Sequence, residues 1–314
     1  MDLSVNLCGI TFQSPVAMAS GNAGYGIEYQ AVSGFSNKDV GAVFLKGTTL
    51  QPKLGNKPER VMESPSGLLN SVGLQNPGAK EVIEQYISRL NMEDTRYIIN
   101  VSGSSIEEYA QVVEMFDQTA LPAIEINISC PNVKKGGAAF GNDPDMAAKV
   151  VEACRAATSK PLIVKLSPNQ TDIAEGARRV IDAGADALSA INTLMGMQID
   201  IHSQMPTLGN NQGGLSGPAI KPVALLKVHQ VYQVAKQHDI PIIGLGGIAS
   251  AEDAIEFFLA GASMVAIGTA IAKDPLIVKK VNKGVAKYMK QHNVNSVAEL
   301  TGRLKLHTDT VLCG

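Results

Sequence analysis

A thiol set between two amides is the most reactive-looking group in the chain: Asn127-Ile-Ser-Cys-Pro-Asn132, followed by a glycine-rich loop through Gly141. Each amide can donate and accept in one plane, which suits a flat ring with amide edges. Cys130 is a candidate proton carrier or nucleophile, because a thiol can be tuned toward a neutral pKa. The competing reading is a structural cysteine on a turn, since free Cys packs well as a small hydrophobe. The polar neighbours and the loop position favour chemistry.

Polar or glycine residues recur wherever an apolar run ends. They are Ser20-Gly-Asn, Lys46-Gly-Thr-Thr, Asn100 with Ser102-Gly, Asn127 with Cys130, Lys165, Asn192-Thr193, Gly244 with Gly246-Gly247, and Gly268-Thr269. One such site means little, but eight around a ring build a pocket. Lys46 and Lys165 close apolar runs, which is costly unless each meets an anion or does covalent chemistry. A snorkelling surface lysine is the bland alternative. Lys165 could form a Schiff base, as in an aldolase. Alternatively both lysines stay cationic, one against a carboxylate and one against the anionic edge of a reduced flavin. Asn70, Asn127, Asn132 and Asn192 suit a planar, amide-bearing substrate and favour the second option. Gly246-Gly247 and Gly268-Thr269 each precede a helix start, where bare N–H groups bind phosphate. Close strand–helix packing also needs glycine. Gly244-Leu-Gly-Gly lacks the third spaced glycine of a dinucleotide fingerprint, so no nicotinamide domain is expected.

Eight short apolar runs must position these groups: 16–20, 42–46, 97–101, 123–128, 162–166, 187–191, 242–245 and 264–267. They are apolar rather than alternating, as parallel strands covered on both faces should be. Helical spacing appears in 106–116, 146–157, 173–183, 223–237 and 251–260, the last with Ser250 as N-cap. The pattern predicts an α/β fold, a (β/α)8 TIM barrel, with residues 3–12 as an N-terminal hairpin plugging its bottom. The long connections 47–78 and 192–217 leave strand carboxyl ends, the face where barrel enzymes place chemistry. One domain over residues 1–314 is expected, since about 250 residues make such a barrel.

The 45% apolar content fills a core, and a net charge of −2 gives no argument for nucleic acid or membrane. Cys8, Cys130, Cys154 and Cys313 contain no CxxC pair, so neither a metal cluster nor a disulfide framework is expected. The five histidines do not cluster at ligand spacing. No signal peptide and no apolar run of about 18 residues is visible, so a cytoplasmic setting is expected. Lys279, Lys280, Lys283, Lys287 and Lys290 read as the solvated face of the last helix.

The motifs Ala19-Ser-Gly, Lys46-Gly-Thr-Thr, Asn70-Ser-Val-Gly-Leu-Gln-Asn-Pro-Gly, Asn127-Ile-Ser-Cys-Pro-Asn, Val164-Lys-Leu-Ser-Pro, Ile191-Asn-Thr, Gly214-Leu-Ser-Gly-Pro-Ala and Gly244-Leu-Gly-Gly-Ile occur in one order. In that order they resemble the dihydroorotate dehydrogenases over nearly the whole chain. Cys130, where the membrane-bound class has Ser, looks like class 1. Lys134-Lys-Gly-Gly-Ala-Ala-Phe-Gly and Gly73-Leu-Gln-Asn-Pro-Gly look like subclass B rather than the fumarate-linked subclass A. The resemblance implies FMN-dependent oxidation of dihydroorotate to orotate in pyrimidine (UMP) biosynthesis. It implies FMN on Ser20, Lys46, Gly47, Asn100, Asn127, Lys165, Ile191, Gly217, Gly246, Gly247, Gly268 and Thr269. It implies substrate on Lys46, Asn70, Ser71, Val72, Gly73, Leu74, Asn127, Asn132, Asn192 and Thr193, with Cys130 as base. A homodimer joined to an iron–sulfur/FAD electron-transfer subunit, together a heterotetramer passing electrons to NAD, is also implied. A pyrimidine-base reductase is a close alternative in chemistry.

Overall fold

Short runs of Val, Ile, Leu and Ala become parallel strands here because helices cover one face and the barrel interior the other. The computed structural model describes residues 2–128 and 140–307. Eight strands close in chain order: Val16–Met18, Ala42–Phe44, Arg96–Val101, Ile124–Asn127, Leu162–Leu166, Ala187–Ala190, Ile242–Gly244 and Met264–Ile267. The eighth pairs with the first through Val265↔Val16, Ala266↔Ala17 and Ile267↔Met18, so the barrel has no edge. The fold is the expected (β/α)8 barrel.

The five expected helices run Ile106–Asp117, Pro144–Ala157, Ile173–Asp182, Lys221–Ala235 and Ala251–Ala260. Ser250 caps the last of these by accepting from the Asp253 amide at 3.2 Å. Gly261 ends it at φ 125°, where a Cβ would lie 2.2 Å from the Tyr232 ring. The basic helix is Ile277–Gln291. Two departures from a regular barrel stand out. Only a single 3₁₀ turn, Asn37–Asp39, lies between the first two strands. The sequence reading places no helix in 79–89, yet helical turns run through Ala79–Glu81, Val82–Tyr86 and Ile87–Arg89. Val82 and Ile87 sit on their buried side.

Val5–Leu7 and Ile10–Phe12 form the hairpin at the barrel's amino end, joined by Cys8 and Gly9 at φ 52° and 77°. Two consecutive positive φ values give a turn whose twist matches the strands. Leu7 and Phe12 enter an apolar cluster with Ala17, Ala42, Phe44, Ile98, Ile163 and Met264, which fills the lower interior. The plug expected from the sequence is present.

The two long connections are not structureless. Val61–Ser64 and Gly67–Asn70 from the first, with Leu194–Gly196 and Gly213–Ser216 from the second, make one four-stranded antiparallel sheet. Its central pairing, Gly214↔Asn70, joins the two connections. A small ribbon, Ile199–Asp200 with Met205–Pro206, extends the second connection. Loops after strands two and six are thereby tied into one rigid flap beside the mouth.

If the hairpin closes the barrel floor, Phe12→Ala should lower unfolding free energy by about 3–5 kcal/mol through cavity formation. Chemical denaturation measures this; a loss well under about 1 kcal/mol would show that the hairpin merely lies against the barrel.

Candidate active site

Inward side chains along the strands change character toward the carboxyl ends. Above the apolar layer come Asn100, Glu125, Ser189 and Lys165, all buried. The register sets Asn100 beside Glu125, Ser189 beside Lys165, and Asn127 beside Lys165. The Glu125 carboxylate accepts from Asn100 Nδ2 at 2.5 Å and from Ser189 Oγ at 2.7 Å.

Over this layer opens a cleft of about 450 Å³, walled on one side by the flap through Val61, Leu68 and Asn70. That volume suits a cofactor or small-molecule site. The cleft gathers residues from every barrel strand end. Ser20, Lys46, Gly47, Asn100, Asn127, Lys165 and Ile191 line it from the first six ends. Asn192, Thr193, Gly217, Gly246, Gly247, Gly268 and Thr269 line it from the later connections, and Asn70, Val72, Gly73 and Leu74 from the flap side. Ser71 does not line it. Its amide and carbonyl point into the turn, donating to Arg60 O at 2.8 Å and accepting from Asn56 Nδ2 at 3.0 Å. Cys130 and Asn132 lie outside the described residues.

Several wall groups are held by second partners. Asn192 Nδ2 donates to Asn127 Oδ1 at 3.1 Å, and the Thr193 amide donates to Asn192 Oδ1 at 2.9 Å. Tyr109 Oη donates to the Asn127 carbonyl at 2.6 Å. Asn70 Nδ2 donates to the Gly214 carbonyl at 3.2 Å across the flap. The Gly73-Leu74 turn runs at φ 77° and 54°, and Asn76 Nδ2 holds the Leu74 carbonyl at 2.7 Å. On the far side, Thr269 Oγ1 donates to Ser216 Oγ at 2.8 Å.

Charge is one-sided. The described lining residues include Lys46 and Lys165 and no Asp or Glu. Lys165 is 5% exposed, and neither ammonium has an ion pair or side-chain hydrogen bond among the described residues. Burial pulls the Lys46 amine below the usual lysine value. Such a pocket favours an anionic occupant.

The glycines divide into two kinds. A Cβ on Gly246 would lie 2.6 Å from Ala224 Cβ, and one on Gly247 would lie 2.8 Å from Lys221 Cβ. Both are needed for close approach to the helix that starts at Lys221. A Cβ on Gly268 would meet nothing nearer than Asn22 Oδ1 at 3.6 Å, so protein packing alone does not demand glycine there. Space is kept on the cleft side. A flavin mononucleotide fits this donor set. The glycine-lined end suits a phosphate, and the two lysines suit a phosphate, a carboxylate or an electron-rich ring.

Three features escaped the sequence. Glu125 and Ser189 lie inside the strand runs, where the lone charge of Ala-Ile-Glu-Ile was the available signal. Asn22 and Ser216, visible in the Ser20-Gly-Asn and Gly214-Leu-Ser motifs but given no role there, also line the cleft. The flap residues Val61 and Leu68 come from a pairing that local pattern does not show.

The family model for dihydroorotate dehydrogenase matches residues 2–289. The chain belongs to the dihydroorotate dehydrogenase family. Similar relatives are the proteins named dihydroorotate dehydrogenase B (NAD(+)), catalytic subunit, of Desulforamulus reducens, Geotalea daltonii and Bacteroides thetaiotaomicron. The first is 48% identical over 98% of this chain and 99% of its own length. The second is 48% identical over 97% and 99%, and the third 49% over 97% and 99%. The resemblance read from the motifs, to the family and to its B-type catalytic subunits, is thus borne out, and the chain is an enzyme of this family. Family membership displaces the Schiff-base aldolase reading of Lys165. Among the described residues no helix is long and apolar enough to cross a membrane.

Lys46 supplies a test of the charged cleft. Its folded pKa lies below the unfolded 10.5, so the unfolded chain binds more protons between those two values. The destabilisation is full below the folded pKa and fades as pH rises toward 10.5. Thermal melting of the ligand-free protein should therefore show Lys46→Met more stable than wild type near neutrality, with the gap narrowing in alkali. A variant that melts at or below wild type throughout would contradict the unpaired-cation description.

Proposed function

We propose that this dehydrogenase binds FMN across the cleft and oxidises dihydroorotate to orotate in pyrimidine biosynthesis. The observation that carries the reading is the cleft whose described lining holds two lysines and no acid, neither lysine having an ion pair among the described residues, with glycine-lined space at one end. FMN brings a phosphate and dihydroorotate brings a carboxylate, so both cations find partners.

In this reading Gly246, Gly247, Gly268 and Thr269 hold the phosphate, with Ser20, Gly47, Ile191 and Gly217 along the cofactor's length. Asn100, Asn127 and Lys165 hold the isoalloxazine. FMN, when bound, supplies the acceptor for a hydride from C6 of dihydroorotate. Lys165 stabilises the negative charge that develops on the ring, as a preorganised cation does in a water-poor site. Asn70, Asn127, Asn132, Asn192 and Thr193 grip the amide edges of the substrate. Val72, Gly73 and Leu74 face the substrate, with Ser71 behind them in the turn. Lys46 meets the carboxylate and reaches toward the cofactor. Cys130, as thiolate, takes the C5 proton. A thiol suits this better near neutral pH than a hydroxyl.

The relatives' names contain the words catalytic subunit and NAD(+). They support electron transfer onward to NAD through a partner subunit; we propose that this partner is an iron–sulfur/FAD subunit, in a cytoplasmic heterotetramer built on a homodimer. Exposed Met195, Met197, Ile199, Ile201 and Met205, on the connection beside the mouth, support a protein contact there.

Two variants test the assignment. Cys130→Ala should retain bound FMN while turnover with dihydroorotate falls by roughly 10²–10⁴-fold; full activity refutes the base assignment. Lys165→Ala should weaken flavin binding or slow its reduction in a stopped-flow half-reaction, and an unchanged half-reaction would count against its role.

A further inference from the structure

A carboxylate lies inside the barrel, beneath the cleft, and takes no part in the reading above. Glu125 is 2% exposed, and no lysine or arginine of the described residues pairs with it. Burying a carboxylate is costly, and an apolar side chain of similar volume fills such a place with less penalty. The compensation comes from two donors, Asn100 Nδ2 and Ser189 Oγ.

The clamp has a directional consequence. A carboxylate only accepts, so the Asn100 amide must turn its NH₂ toward Glu125. Asn100 Oδ1 then faces the Gly47 side of the wall, 2.9 Å from where a Gly47 Cβ would stand, with no partner among the described residues. Turned over, the amide would exchange donor and acceptor at a residue that lines the cleft. A neutral side chain at 125 would permit that exchange, because a glutamine both donates and accepts.

We infer that Glu125 is a positioning residue for the cofactor floor: it fixes the Asn100 amide in one orientation and places a negative charge one layer beneath Lys165 and Asn127. This rests on the reading of the cleft as a flavin site. The charge opposes Lys165 at that floor. Lys165 favours an electron-rich ring above it, and Glu125 moderates the preference.

The test uses the full chain stripped of flavin, titrated with FMN by fluorescence quenching, as wild type, Glu125→Gln, Asn100→Ala and the double variant. Glu125→Gln should weaken FMN binding about tenfold, as loss of a charge-assisted contact does. Asn100→Ala should weaken it too, and the double variant should be no weaker than Asn100→Ala alone. The midpoint potential of the bound flavin should also rise in Glu125→Gln, because the removed negative charge no longer opposes electron uptake. A merely structural role would leave the potential in place. Both results are required. Wild-type affinity in Glu125→Gln, additive losses in the double variant, or an unmoved potential each overturns the inference. Should Glu125→Gln not fold, Ser189→Ala, which removes one hydroxyl from the clamp, must show the same non-additivity with Asn100→Ala; additivity there overturns it. A wild-type chain that takes up no FMN sinks the flavin reading and this inference together. A wild-type chain that binds FMN, beside an indifferent Glu125→Gln, sinks the inference alone.

Discussion

Two ammonium groups share a pocket whose described walls carry no acid, and the rest of the site is arranged around that imbalance. A buried ion without a partner costs several kcal/mol. Whole domains are stable by only about 5–15 kcal/mol. The buried Lys165, and to a lesser degree the half-buried Lys46, are therefore tolerable only on a scaffold with stability to spare, and worthwhile only if a ligand supplies the counter-charge. The closed barrel is such a scaffold. Its strands leave no edge, its floor is sealed by Leu7 and Phe12, and helices cover its outer face.

The interior is graded along the barrel axis. Ala, Phe, Ile and Met fill the amino half, where nothing but packing is asked of them. The carboxyl half carries Asn100, Glu125, Ser189 and Lys165, whose polar groups must be satisfied by one another or by whatever enters the cleft. Neighbouring strands thus hold the functional side chains on rigid elements rather than on loops. The flap completes the arrangement, since pairing Gly214 with Asn70 brings the Asn70 amide to the rim of the cleft on a sheet.

The barrel was legible in the sequence because buried parallel strands read as unbroken apolar runs. Their ends were legible because Lys46, Asn100, Asn127 and Lys165 break those runs abruptly. The flap was not legible: Gly67–Asn70 and Gly213–Ser216 are short, and their pairing joins residues 144 positions apart. Glu125 was hidden for the opposite reason. One charge within a strand looks like an exception until the register shows it facing Asn100 and the barrel axis. Gly246 and Gly247 had two sequence readings, and packing against the Lys221 helix is one that the structure makes necessary. Gly268 carries the cavity argument instead. Ser71 sits within a motif yet does not line the cleft, because a motif records neighbours in the chain and not their places in space.

The account stands or falls on what occupies the cleft between the two lysines. The most direct measurement is the visible absorption spectrum of the purified chain, reconstituted with FMN, recorded without oxygen before and after dihydroorotate. The account predicts a flavin spectrum that travels with the protein and is bleached by that substrate. A protein that retains no flavin, or one whose flavin stays oxidised in excess dihydroorotate, would contradict it.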